Sequence, residues 1–349
     1  MADSSSLLIP FLPDDISLQI LARVPRSSHT ILSLVSRSWR SILHSPVLFA
    51  VRSSLHLPSP LILLNARTPS GTSLWFPIDP LPNPNPNPRP LPSPSLPVSG
   101  AATATLGHAL YLLGGSLNGI PSSAVQVFDA TTRQWSLGPR MSTAREFAAA
   151  AALNGQIYAA GGCTPSAKTW AEVLHPGGAL WVTVPSPSEV RDRWMHGCAV
   201  IGRKILAVVD RGGVVYDTVA GEWGPVPKKL DLGWRGRAAV VGGLLYTYDY
   251  LGKIRAYDLE GNQWLSVGGV EKKLPKFLCG ATLANFGGLL CLVWESGGKT
   301  KEMEIVCAGL RISRTEEAKG LVGEILWKHR LVLSVPRGSS IAHCVAVDL

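Results

Sequence analysis

The chain has 349 residues, 46% hydrophobic and 16% charged, with 35 glycines and 27 prolines; this balance excludes a disordered chain and suits a well-cored fold with many tight turns. Its net charge of +9 is spread as 7 basic and 4 acidic residues up to residue 100, and 26 and 20 beyond. That spread argues against a nucleic-acid-binding stripe while mildly favouring an acidic partner.

No apolar run approaches the eighteen or so residues of a membrane helix, and the short N-terminal run Leu7 to Leu12 is broken by Pro10 and preceded by Asp3. Neither nucleic acid nor membrane is an expected partner, and the expected location is intracellular, in cytoplasm, nucleus or both. Cys163, Cys198, Cys279, Cys291, Cys307 and Cys344 lie far apart with no Cys-x-x-Cys spacing, so reduced core thiols are expected.

Residues 1–10 are expected to form a flexible N-terminus. After them, Leu12-Pro13-Asp14-Asp15 offers a helix start with acidic residues at the positive end of the dipole, followed by Ile16, Ile20, Leu21 and Val24 at helical spacing. Pro25 stops that helix, and Ser27 or Ser28 caps a second one carrying Ile31, Leu34, Val35, Trp39, Ile42 and Leu43. Pro46 starts a short third turn with Val47, Leu48 and Phe49. About forty residues in three helices can hardly bury so many apolar positions alone, so a partner surface is expected.

The order Leu-Pro-Asp-Asp, Ile-Leu, Val-Pro, Val-Ser-Arg-Ser-Trp-Arg and Pro-Val-Leu-Phe resembles an F-box, the helical motif that docks on the Skp adaptor of cullin-RING ubiquitin ligases; Ser36 stands where many F-boxes have Cys. The resemblance sets this domain at 11–53. It implies adaptor contacts from Leu12, Pro13, Ile16, Ile20, Leu21, Val24, Leu34, Val35 and Trp39. A helical cap on the domain that follows is the alternative.

From residue 54 the pattern changes to short alternating runs. Leu61 to Leu64 and Ser73 to Ile78 read as strands, and the Pro, Asn and Ser of the 81–97 segment read as a solvated loop whose Pro94-Ser-Leu-Pro97 is only a weak PxxP match. A cadence then repeats: Phe128-Asp129 to Trp135, His175-Pro176 to Trp181, Tyr216-Asp217 to Trp223 and Tyr257-Asp258 to Trp264. Ahead of each lies an apolar run, twice closed by paired glycines at Gly114-Gly115 and Gly161-Gly162. Such self-similarity signals a repeat architecture, with each interval long enough for one four-stranded propeller blade.

The cadence resembles the kelch repeat, strongly over Leu106 to Trp135 and Phe147 to Trp181, and more weakly over Gly197 to Trp223 and Gly236 to Trp264, where Val209-Asp210 and Asp249-Tyr250 replace the glycine pair. A fifth unit runs from Gly280 to Trp327 through an irregular charged insertion, Arg311 to Gly323. The Ala-rich run Ile341 to Val347 reads as a lone innermost strand. Strands from 61–79 could complete it, together with 339–349, as a closing blade. The expected fold is mainly β: a three-helix F-box and a six-bladed kelch-type propeller over 54–349.

Catalytic chemistry finds little support. Gly297-Gly298-Lys299-Thr300 lacks the earlier glycine of a phosphate loop, and Met303 to Cys307 reads as a strand instead of the helix such a loop requires. Gly114 to Gly119 is better explained by a blade-tip loop than by a dinucleotide turn. His196 and Cys198 share a strand face, but two ligands do not make a metal site. No cofactor, metal or catalytic residue is expected, and the copper-dependent sugar oxidases among kelch propellers are a distant alternative.

Arg145 and Arg193 occupy matched repeat positions, with Arg235 and Arg237 close to the corresponding place in the next unit and Trp194 and His196 nearby. They form a candidate target-binding set at one end of the channel; pairing with blade-tip carboxylates is the structural alternative. The two resemblances together imply the non-catalytic substrate receptor of an SCF-type ubiquitin ligase, reaching the cullin-RING machinery through a Skp-type adaptor and holding an unidentified target protein. A kelch scaffold outside ubiquitination is the main alternative.

Overall fold

The computed structural model describes residues 7–43, 45–55, 57, 59–80, 84–96, 99–187, 195, 197–234, 236–249, 251–276, 278, 280–297, 300–314 and 320–349. The chain opens with α1 (Asp14–Arg23), a 3-10 turn (Arg26–Ser28), α2 (His29–Leu32), α3 (Arg37–Leu43) and α4 (Pro46–Ser54). The second expected helix is therefore two. It breaks at Ser33 to Ser36, where the Ser36 hydroxyl accepts the Trp39 backbone N–H and caps α3. The third expected turn is a nine-residue helix, started by Pro46 and capped by the Ser45 hydroxyl.

The rest is a propeller-like arrangement of antiparallel sheets. Ala102–Leu106, Ala109–Leu113, Val125–Asp129 and Gln134–Gly138 form one four-stranded sheet; Ala149–Leu153, Gln156–Ala160, Ala171–Leu174 and Val182–Val184 form the next; Gly197–Ile201, Lys204–Val208, Gly213–Asp217 and Glu222–Pro225 form a third. An eight-stranded sheet joins two further four-stranded meanders, 239–268 and 282–336, through parallel pairing of Val267 with Leu321 and Gly268 with Val322. Ser340–Asp348 pairs with Pro60–Arg67, which pairs with Ser73–Ile78, so the two ends of the β region share one sheet. The innermost strands beginning at 340, 102, 149, 197, 239 and 282 each touch the next, and the last touches the first.

The cadence has a geometric basis. Asp129 Oδ1 accepts the N–H groups of Thr131 and Thr132, and Asp217 Oδ1 those of Val219 and Ala220, which tightens the hairpin between third and fourth strands. The same register sets Phe128 opposite Trp135, Tyr216 opposite Trp223 and Tyr257 opposite Trp264, with ring centroids 4.8–5.1 Å apart. Each indole N–H then reaches back to the preceding unit: Trp135 to the Pro92 carbonyl, Trp181 to Pro139, Trp223 to Pro185 and Trp264 to Lys229. Trp327 departs from the rule, since its buried indole N–H has no hydrogen-bond partner among the described residues.

The glycine pairs serve close approach. A Cβ on Gly114 would run into the Arg145 carbonyl oxygen and one on Gly162 into the Glu146 carbonyl oxygen, both at positive φ. Gly115 N–H donates to the Arg145 carbonyl and Glu146 N–H to the Gly162 carbonyl, so the segment entering each sheet is stitched to its neighbours.

Two expectations change. The Pro-rich segment is not a free loop: Leu91 is buried, its N–H donates to the Trp75 carbonyl at 2.8 Å, and Gln126 clasps the backbone of Leu96. It lies where a fourth strand of the shared sheet would run. The expected insertion at Arg311 to Gly323 is largely regular, because Glu302–Arg314 and Leu321–Pro336 form a long hairpin with Arg311 opposite Glu324. Residues 315–319 lie outside the described residues.

Candidate adaptor and target surfaces

In the helical module the apolar residues divide between a small core and an uncovered surface. Leu21, Ala22, Leu43 and Leu48 are buried together, with Trp39 and Ile42 among the side chains packed around them. Buried Arg52 of α4 donates to the carbonyls of Ala22 and Val24, placing a cation against the C-terminal end of α1. Trp39 donates its indole N–H to the Leu8 carbonyl at 2.6 Å, tying the segment before α1 to α3.

Outside that core, Ile16 and Ile20 on α1, Ile31 on α2, Leu34 and Val35 just after it, and Val47 on α4 stay exposed. Ile31, Leu34 and Val35 are 70%, 73% and 61% exposed, too much apolar surface for so small a module to leave in water without purpose.

At the other end of the chain's architecture, a cavity of about 730 Å³ opens where the innermost strands beginning at 102, 149, 197 and 340 start. Its wall includes Asn65, Arg67, Ser99, Thr103, Phe147 and His343. Asn65 is buried, donating to the Leu74 carbonyl and accepting the Ser73 hydroxyl. His343 stacks on Trp75 with centroids 6.1 Å apart and has Thr103 Oγ1 3.4 Å from Nδ1. Burial, aided by the Arg237 guanidinium, pushes its pKa down to about 4, so the imidazole is neutral near pH 7. Burial also pushes the Cys198 thiol up to about 12, which keeps this wall residue protonated and unreactive.

Arg145 does not face this cavity's solvent. It is fully buried, donating Nε and Nη2 to Glu172 Oε1 at 3.1 and 2.8 Å and its remaining N–H groups to the carbonyls of Gly161, Trp170 and Thr169. Glu172 Oε2 accepts the Ser142 N–H. Gln126, at the matching position one unit earlier, holds the Leu96 backbone in the same manner. Half-buried Arg237 donates to the carbonyls of Gly280 and Ile341, bracing neighbouring innermost strands.

Against known proteins, a family model for the F-box domain matches residues 9–50, and one for the FKB95 kelch-repeats domain matches residues 81–332. F-box/kelch-repeat protein At4g39580 of Arabidopsis thaliana is 31% identical, covering 97% of this chain and 94% of the relative. The chain belongs to the F-box/kelch-repeat family. A second Arabidopsis thaliana member, F-box/kelch-repeat protein At4g39550, is 30% identical over 97% of this chain and 93% of its own. The solved structure of YjhT aligns with a TM-score of 0.52 over 76% of this chain and 98% of that one. At 12% identity this is a likeness of fold alone.

Within this F-box/kelch-repeat protein the expected site residues separate. Pro13, Ile16, Ile20, Leu34 and Val35 are exposed, while Leu12, Val24 and Trp39 are half-buried. Leu21 is a correction: it is buried in the module's own core instead of standing on its surface. Ile31 and Val47 join the exposed set, and their helical spacing alone did not distinguish them from core positions. Arg145 is likewise a correction, an internal strut with every guanidinium group already bonded. Arg193, Trp194, His196 and Arg235 lie outside the described residues. Arg237 remains the partly accessible member of that set.

Proposed function

We propose that this chain is the substrate-recognition subunit of an SCF-type ubiquitin ligase, without catalytic residues of its own. In this reading an F-box over 11–53 grips a Skp-type adaptor, and a six-bladed kelch propeller over 54–349, closed by a blade shared between its two ends, holds a target protein. The assembly works inside the cell, in cytoplasm, nucleus or both. The chain acts by proximity: fixing target and adaptor on one body raises the effective concentration of target lysines near the ubiquitin-charged enzyme that the cullin recruits.

The observation that carries the reading is the uncovered apolar surface of Ile16, Ile20, Ile31, Leu34, Val35 and Val47 on a module whose Leu21, Ala22, Leu43 and Leu48 pack into a core of their own. A helical cap would cover such residues against the propeller, whereas an adaptor-binding helix set presents them outward. The six-bladed reading is supported by the ring of innermost strands. Co-expression with a plant Skp adaptor tests the proposal: a stable 1:1 complex on gel filtration is expected, and elution of the two proteins as separate species would refute it.

A further inference from the structure

The cavity at the mouth of the ring has a chemical bias. Among the described residues no Asp or Glu lines it, while Arg67 on its wall is exposed and has no ion-pair partner. Ser99 and Thr103 add hydroxyl donors to the same wall. The carboxylates close by are already engaged: Glu146 accepts the Ser116 hydroxyl at 2.6 Å, Glu172 holds Arg145, and Glu295 accepts the Ile341 N–H. Arg67 is therefore the one charged side chain among the described residues of the wall, and its natural complement is an anionic group of a ligand.

Beside it stands an apolar rim. Phe147 lines the cavity and is 39% exposed, although its backbone sits at φ 53°, a conformation unfavourable for a bulky side chain. The conformation is held from both sides, by Phe147 N–H donating to the Gly100 carbonyl and the Phe147 carbonyl accepting the Met195 N–H. Strain of this kind collects at ligand clamps, where it fixes a side chain in place before binding. The hairpin Ser116–Pro121 raises exposed Leu117 and Ile120, and its base, Ser116, bonds Glu146, the residue before Phe147, and bridges to Ser99 in the cavity wall.

We infer that this mouth receives an acidic peptide segment of the target anchored by one apolar side chain: its carboxylates face Arg67, Ser99 and Thr103, and the apolar side chain packs on Phe147 beside Leu117 and Ile120. The inference rests on the receptor function proposed above and names the chemistry that such a receptor reads. The pairing of one cation with one rigid aromatic explains why a wide cavity can be selective: an acidic segment without the apolar residue loses the anchor, and an apolar segment without carboxylates leaves Arg67 unpaired.

The test uses the full-length chain in complex with its adaptor and three fluorescent pools of short peptides, each with a central Leu or Phe. The flanking positions are Asp/Glu in the first, Asn/Gln in the second and Lys/Arg in the third. Anisotropy should show binding of the acidic pool, at least about tenfold weaker binding of the other two, and weakening as salt is raised. Arg67→Ala and Phe147→Gly should each weaken the acidic pool by about tenfold or more, with Arg67→Lys recovering part of the loss. Phe147→Gly relaxes the backbone, so its melting temperature should not fall. Equal binding of the three pools, no binding of any, or unchanged binding by both variants overturns the inference. Adaptor retention separates the two proposals: loss of adaptor from the wild-type chain defeats the receptor reading, whereas intact adaptor binding with an indifferent mouth defeats only this one.

Discussion

Arg145 and Glu172, 27 residues apart, form an ion pair in which both side chains are wholly buried, Nη2 lying 2.8 Å from Oε1. The pair sits between the segment that enters one sheet and the third strand of that sheet, and the same guanidinium bonds three backbone carbonyls. A buried pair satisfied this completely holds geometry, and its removal from one side is costly because the other charge is left uncompensated.

Arg145→Ala and Glu172→Ala are accordingly expected to destabilise the propeller by about 3–5 kcal/mol each. A double replacement by Met and Leu should cost much less than the sum, since it removes both charges together. Chemical denaturation of the two single variants and the double variant measures this. Single variants as stable as wild type would contradict the role assigned to the pair.

The indole latches give a graded series. Trp181→Phe keeps most of the packing but loses the donation to Pro139, and should cost about 0.5–1.5 kcal/mol. Trp181→Ala removes the packing as well and should cost about 3–5 kcal/mol. The same Phe substitution at Trp327, whose indole N–H has no partner among the described residues, should be neutral or stabilising. Thermal melts of the three variants check the order.

Deleting Pro90 to Ser93 should destabilise the shared sheet by far more than loop shortening alone. Loop-closure entropy changes by only about 0.6 kcal/mol per doubling of length, whereas this deletion removes buried Leu91 and the Pro92 carbonyl that receives the Trp135 indole. A melt indistinguishable from wild type would restore the view of this segment as a passive loop.

His343 sets a pH dependence. Its folded-state pKa of about 4 lies below the ordinary histidine value of about 6.5, so between those values the unfolded chain binds the proton and the folded chain does not. Stability is then complete above about pH 6.5 and declines as pH falls toward 4, by up to about 1.4 kcal/mol per pH unit from this residue. His343→Gln should flatten the slope of stability against pH between 5 and 6.5, measured by denaturant unfolding at each pH; an unchanged slope would show that the imidazole is freely protonated in the fold.

Much of this architecture was legible in the sequence because it is written in local terms. The Asp-to-Trp step encodes a hairpin whose aromatic pairs follow from register, and the lone Ala-rich run at 341–347 called for strands from the other end of the region, which it meets at Pro60–Arg67. The helical module was legible through its motif order. What the sequence left hidden depends on distant partners. Glu172 lies inside an apolar strand with nothing local to mark Arg145 as its partner, so Arg145 read as a surface anchor. Leu91 lies among prolines that cannot build a ladder, and its single bond to Trp75 is visible only in three dimensions. In the helices, spacing identified apolar positions but did not separate buried Leu21 from exposed Ile31.

The central claim is that the uncovered apolar residues of the helical module are an adaptor-binding surface, and the most direct measurement is the affinity of a Skp adaptor for an Ile20→Asp, Leu34→Asp double variant by calorimetry. Both side chains are already exposed, so the variant should melt as the wild type does. Its adaptor binding should fall by about a hundredfold or more, as expected when two apolar anchors at the centre of an interface become charged. Wild-type affinity in a folded double variant would contradict the account.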